Sequence, residues 1–81
     1  MGTKAKYSVV GVNRLFDHLE RTYDVRNDRA LAKALGVWPA AISKARSGKI
    51  AFGDIWLLAV HEVFEIPIKD IKGMLNGHEM V

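Results

Sequence analysis

The chain has 81 residues, 49% of them apolar, and no cysteine. It is therefore large enough for one small domain, residues 1–81, stabilised by packing, with neither a disulfide framework nor a thiolate zinc site. Net charge is only +3, too little to mark the whole chain as a polycation, so the distribution of charge matters more than its total.

Val9, Val12, Phe16, Leu19 and Tyr23 recur at three- and four-residue steps, with Leu15 beside them. That spacing predicts an amphipathic helix near 9–22, capped by Ser8 or Asn13. Asn27 or Asp28 caps a second helix that buries Ala30, Leu31, Ala34 and Leu35. Gly36 then lets the chain leave that helix in a left-handed conformation. Pro39 suits the first turn of a third helix, about 39–47, and Gly48 supplies its stop. A fourth helix near 53–64 places Asp54 against its N-terminal dipole and ends at Ile66, before Pro67. Pro67 opens a fifth helix with Ile68, Ile71, Met74 and Leu75 on one side, closed by Asn76-Gly77. The expected fold is all-α, with a flexible N-terminal arm at about 1–7 and a frayed tail at about 76–81.

The segment from Asp28 to Gly48 carries the functional information. It reads as helix, glycine turn, helix, with Ala32 four residues before Gly36 and Ile42 six residues after it. A small residue at 32 allows close crossing, and Ile42 joins Leu31, Leu35 and Val37 in the core. Val37 and Ile42 also have the spacing of a hydrophobic staple around a cap at Trp38. The same region holds Arg26, Arg29, Lys33, Lys44, Arg46 and Lys49 against Asp28 alone, while residues 50–81 are net acidic. One face suited to a polyanion and another turned away is the pattern expected of a nucleic-acid-binding domain. A glycine-turned helical hairpin with a solvated charged face also fits these residues.

Leu31-Ala32-Lys33-Ala34-Leu35-Gly36-Val37, followed by Pro39-Ala40-Ala41-Ile42-Ser43-Lys44 and Ser47-Gly48-Lys49, resembles the helix-turn-helix of λ-repressor-like domains, the family of phage repressors, Cro proteins and related bacterial regulators. The resemblance spans about residues 13–75. It implies a compact five-helix domain, phage-encoded or bacterial, whose third helix enters the major groove of double-stranded DNA, often as a twofold-symmetric dimer. Carried over by position, Trp38, Pro39, Ala40, Ser43, Lys44 and Ser47 face DNA, and the start of the second helix near Asn27, Asp28 and Arg29 approaches a phosphate. The Asp28 carboxylate would repel that phosphate unless it points away or caps the helix.

Two positions depart from the family pattern, which commonly has Ser or Thr at the turn and Gln next. Trp38 cannot cap, at a typical cost of ~1 kcal/mol, and Pro39 cannot make the forked contact of Gln to adenine. Base reading would fall to Ala40 on a thymine methyl and to hydrogen bonds from Ser43 and Lys44, assisted by DNA shape or by an arm carrying Lys4 and Lys6. Those lysines also fit a disordered tail. Trp38 has three readings: folded back as core, packed on the DNA backbone, or anchoring a protein contact. Arg29, Arg46 and Lys49 are expected to contact phosphates rather than bases.

His18, His61 and His78 lack the spacing of a metal face, so neither metal nor cofactor is expected. No nucleophile motif or phosphate loop is present, and no small-molecule substrate or enzymatic activity is expected. No apolar run reaches the roughly 18 residues that span a bilayer, and Met1-Gly2-Thr3-Lys4-Ala5-Lys6 has neither a signal-peptide core nor a myristoylation pattern. The expected setting is cytoplasmic. The fourth helix, Ile55 to Phe64, is apolar nearly all round, which predicts a central core helix or a subunit interface. A homodimer through the fifth helix and part of the fourth is expected. Together these features point to a transcriptional regulator, of phage- or prophage-repressor type, that occupies an operator and blocks polymerase. The alternative is a module that binds an antirepressor or antitoxin partner through the surface around Trp38.

Overall fold

Residues 7–77 are described by the computed structural model, and among them the chain forms α1 (Val9–Thr22), α2 (Asp28–Leu35), α3 (Pro39–Ser47), α4 (Asp54–Phe64) and α5 (Ile68–Leu75), with no strand. Ser8 caps α1, its Oγ accepting the Gly11 N–H at 3.0 Å. Asn27 caps α2, its Oδ1 accepting the Ala30 N–H at 2.9 Å. Both choices left open by the sequence are thus settled by which side chain can reach an orphan N–H of the first turn. Lys4 and Lys6, His78 and most of the expected tail lie outside the described residues.

The core is one cluster built by all five helices. Leu15, Phe16 and Leu19 of α1, Leu31 and Ala32 of α2, Ile42 and Ala45 of α3, Leu57 and Val60 of α4, and Ile71 and Leu75 of α5 are buried in it. Tyr7 and Phe52 join from outside the helices, and Phe52 stacks on Trp56 with ring centroids 5.8 Å apart. At Gly11 the α1 backbone meets α5 so closely that a Cβ would collide with the Leu75 carbonyl. Only glycine allows that approach, which explains a residue otherwise unfavourable inside a helix.

α2 leaves through Gly36 at φ 75°, in the left-handed region, and Val37 N–H donates back to Ala32 O at 2.9 Å. The turn brings α3 against α2, and both also pack on α1. Ala32 sits fully buried at this crossing. Val9 and Tyr23, expected on the inner stripe of α1, are exposed at its two ends, and Ala30 and Ala34 are only half-buried. α4 stops at Phe64, within the bounds its pattern predicts, and Glu65 turns left-handed at φ 56° just before Ile66-Pro67. The His61 imidazole bridges that turn, Nδ1–H donating to Ile66 O at 2.7 Å.

Two expectations for the C-terminal helices need correcting. α4 is not a central core helix: Ile55 is 84% exposed, Leu58 47% and Val63 44%. Of the α5 residues expected at a subunit contact, Ile71 and Leu75 are buried within the chain, where α5 packs on α1 and α4, which leaves only the half-buried Ile68 and Met74. No helix of the described residues is long and apolar enough to cross a membrane.

Candidate nucleic-acid interface

The buried side of α3 is set by Ile42 and Ala45. Ala40, Ser43, Lys44 and Ser47 have i, i+3, i+4, i+7 spacing on the opposite side, and all four are exposed. Packing α3 on α1 and α2 therefore presents this stripe outward. Pro39 is exposed at the first turn, and Trp38, directly before it, is 82% exposed. That exposure removes the core reading of Trp38. Its side chain makes no cap hydrogen bond, so the start of α3 is held by Pro39, by packing and by the Ala41 N–H donating to the Trp38 carbonyl at 2.9 Å.

Trp38 borders a shallow groove between the beginnings of α2 and α3, with Arg29 and Lys33 of α2 also lining it. Arg29, Lys33, Lys44 and Lys49 are all exposed. Lys49 follows the left-handed Gly48 (φ 82°) that ends α3, and its N–H donates to Lys44 O at 2.9 Å. The Ser47 hydroxyl donates to the same carbonyl at 3.2 Å.

Arg46 is a correction. It was expected on a phosphate, but its guanidinium points inward, with the side chain 19% exposed. Nε donates to both Asp28 oxygens at 3.1 and 3.0 Å, and Nη2 lies 2.9 Å from Asp28 Oδ1 and 3.2 Å from Glu20 Oε2. Nη1 reaches Asp17 Oδ1 at 3.0 Å and donates to Asn13 Oδ1 at 2.7 Å. Asn13 returns the contact, its Nδ2 donating to Arg46 O at 2.9 Å, and the guanidinium sits 5.3 Å from the Phe16 ring centroid. The planar fork of arginine thus ties α1, α2 and α3 together.

Three carboxylates around one guanidinium exceed what it can neutralise. Glu20 responds by holding its proton: desolvation, then the hydrogen bond and charge of Asp28, push its pKa up to about 7 against the opposing pull of Arg46. Burial also pushes Asp28 upward, but hydrogen bonds from Glu20 and Arg46 and the Arg46 charge outweigh it, leaving Asp28 below the usual range. The network also resolves the position of Asp28, whose charge is spent on Arg46 rather than left to repel a phosphate. With that pair cancelled, the cationic excess of residues 26–49 consists of exposed side chains, namely Arg26, Arg29, Lys33, Lys44 and Lys49.

A second cleft lies between the later part of α1 and the α4–α5 turn, lined in part by Arg14, Arg21, Glu65 and Asp70. Its cations and acids balance, and Arg14 Nη1 already donates to Met74 O at 3.0 Å. It lacks the one-signed field that attracts a polyanion. Among the described residues no group of three His, Cys, Asp or Glu side chains is placed to hold a metal ion. No protein-family model, curated protein or solved structure matches the chain.

Proposed function

We propose that this chain is a double-stranded-DNA-binding transcriptional regulator of the λ-repressor-like helix-turn-helix type, acting as a phage or prophage repressor. The observation that carries the proposal is the outward stripe of Ala40, Ser43, Lys44 and Ser47 with a rim of exposed cations, the one acid between residues 26 and 49, Asp28, being paired with Arg46. In this reading α3 enters the major groove, Ser43 and Lys44 meet base edges, and Arg29 and Lys49 neutralise phosphates on either side. Occupancy of an operator then blocks polymerase. Titration of duplex DNA at low and moderate salt tests it: affinity that falls steeply with salt is expected, and salt-insensitive or absent binding counts against it.

A second reading has one observation in its favour, the 82% exposure of Trp38. An aromatic side chain so uncovered is a natural anchor for a protein partner of antirepressor or antitoxin type. The cations around it favour DNA.

Twofold pairing belongs to the same proposal, now through α4 alone. Ile55, Leu58 and Val63 are its exposed apolar residues, and α4 makes no close backbone contacts with α3, so a second copy seated there leaves both α3 helices free for DNA.

A further inference from the structure

The tip of α3 is apolar where a groove-reading helix needs to discriminate. Trp38, Pro39 and Ala40 follow one another and are all exposed. Proline has no N–H, and the Trp38 carbonyl already accepts from Ala41 N at 2.9 Å. The indole N–H is therefore the one side-chain donor of the three residues. The groove beside Trp38 continues this character, with Ala30, Val37 and Pro39 among its walls. Its Asn27 has already spent the side-chain carbonyl on the Ala30 N–H. Arg29 and Lys33 line the same groove.

Resting on the DNA-binding reading above, we infer that Trp38 and Ala40 recognise the C5-methyl group of pyrimidines in the major groove. Helix-turn-helix proteins present the first residues of the inserted helix to base edges. Against Trp38-Pro39-Ala40, whose side chains offer one donor and no acceptor, most polar base edges would lose more hydrogen bonds to water than they regain. The methyl of thymine is the apolar feature of that groove, and 5-methylcytosine offers the same group. Cations beside an apolar tip complement phosphates flanking a methyl, which a purely apolar protein surface would not supply.

The test uses the full chain and a duplex selected by it from a random pool, with affinity read by fluorescence anisotropy. Replacing thymine by uracil removes only the methyl, and the expected loss is about fourfold for each methyl contacted, equivalent to ~0.8 kcal/mol per buried carbon group. Trp38→Phe keeps the discrimination and Trp38→Ala reduces it. Both variants fold, because the side chain is exposed and makes no cap bond. Cytosine and 5-methylcytosine at the same positions separate the two methyl sources. Preference for 5-methylcytosine over cytosine shows that the methyl alone is read, and thymine preference without it assigns the reading to thymine. Equal affinity for thymine and uracil duplexes, with salt-dependent binding intact, overturns the inference and leaves DNA binding standing. Failure to bind any duplex at low salt overturns both.

Discussion

Arg46 Nε lies 3.1 and 3.0 Å from the two carboxylate oxygens of Asp28, joining α3 to the first turn of α2. Asp17 and Glu20 of α1 complete the cluster, so one arginine sets how α3 sits on the rest of the domain. Arg46→Ala leaves three carboxylates facing one another. Fully buried pairs broken this way cost about 3–5 kcal/mol. The Asp17 and Asp28 side chains keep much of their solvent access, which lowers the expectation to about 1–3 kcal/mol, checked by urea denaturation. On the proposed DNA-binding reading the folded fraction of this variant keeps the wild-type salt dependence, because the Arg46 guanidinium is held inward by Asp17, Glu20, Asp28 and Asn13.

Stability should fall as pH rises through neutrality. Glu20 has a folded value of about 7 against an ordinary 4.5, so the folded chain binds more protons than the unfolded chain between those values. Its contribution is complete below 4.5 and is lost as pH climbs through 7. Asp28, lowered from 3.8, acts oppositely, losing its contribution as pH falls through its folded pKa. Moving from pH 6 to pH 8 should cost on the order of 1 kcal/mol, or roughly 4–8 °C in Tm for a domain of this size. Glu20→Gln should flatten that difference. An equally steep dependence in the variant would show that another group is responsible.

Gly11→Ala should destabilise the domain although alanine is the better helix former. Its Cβ would meet the Leu75 carbonyl, and backbone cannot give way as a side-chain tip can. An overpacking cost of about 1–3 kcal/mol is expected, read as a lower Tm. A neutral or raised Tm would mean that α1 and α5 separate without loss.

Pairing through α4 predicts that Ile55→Asp shifts sedimentation from dimer to monomer while leaving the helical circular-dichroism signal unchanged, because the 84% exposed side chain contributes little to the core. A wild-type chain that sediments as a monomer at micromolar concentration would contradict the pairing.

The helices were legible because apolar spacing, Gly36, Gly48 and the two prolines act locally, and α1 runs over Val9–Thr22 as its periodicity predicts. Ala40, Ser43, Lys44 and Ser47 share a face because Ile42 and Ala45 fix the opposite one. The inward position of Arg46 is not legible from its sequence neighbours, because three of its polar partners, Asn13, Asp17 and Glu20, lie on α1. One signal did exist: Arg46 stands four residues after Ile42 and next to Ala45, on the edge of the buried side. α4 misled for a related reason. Its composition is apolar all round, and composition does not say which walls the other helices reach.

The most direct test of the central claim is the salt dependence of random-duplex binding for the wild-type chain and for the Arg29→Ala/Lys49→Ala variant. Each phosphate neutralised contributes about 0.9 to the slope of log affinity against log salt. The wild type should therefore bind at low salt with a steep negative slope, and the variant should be shallower by about two. A slope unchanged in the variant, or wild-type affinity that does not respond to salt, would contradict the assignment of this surface to DNA.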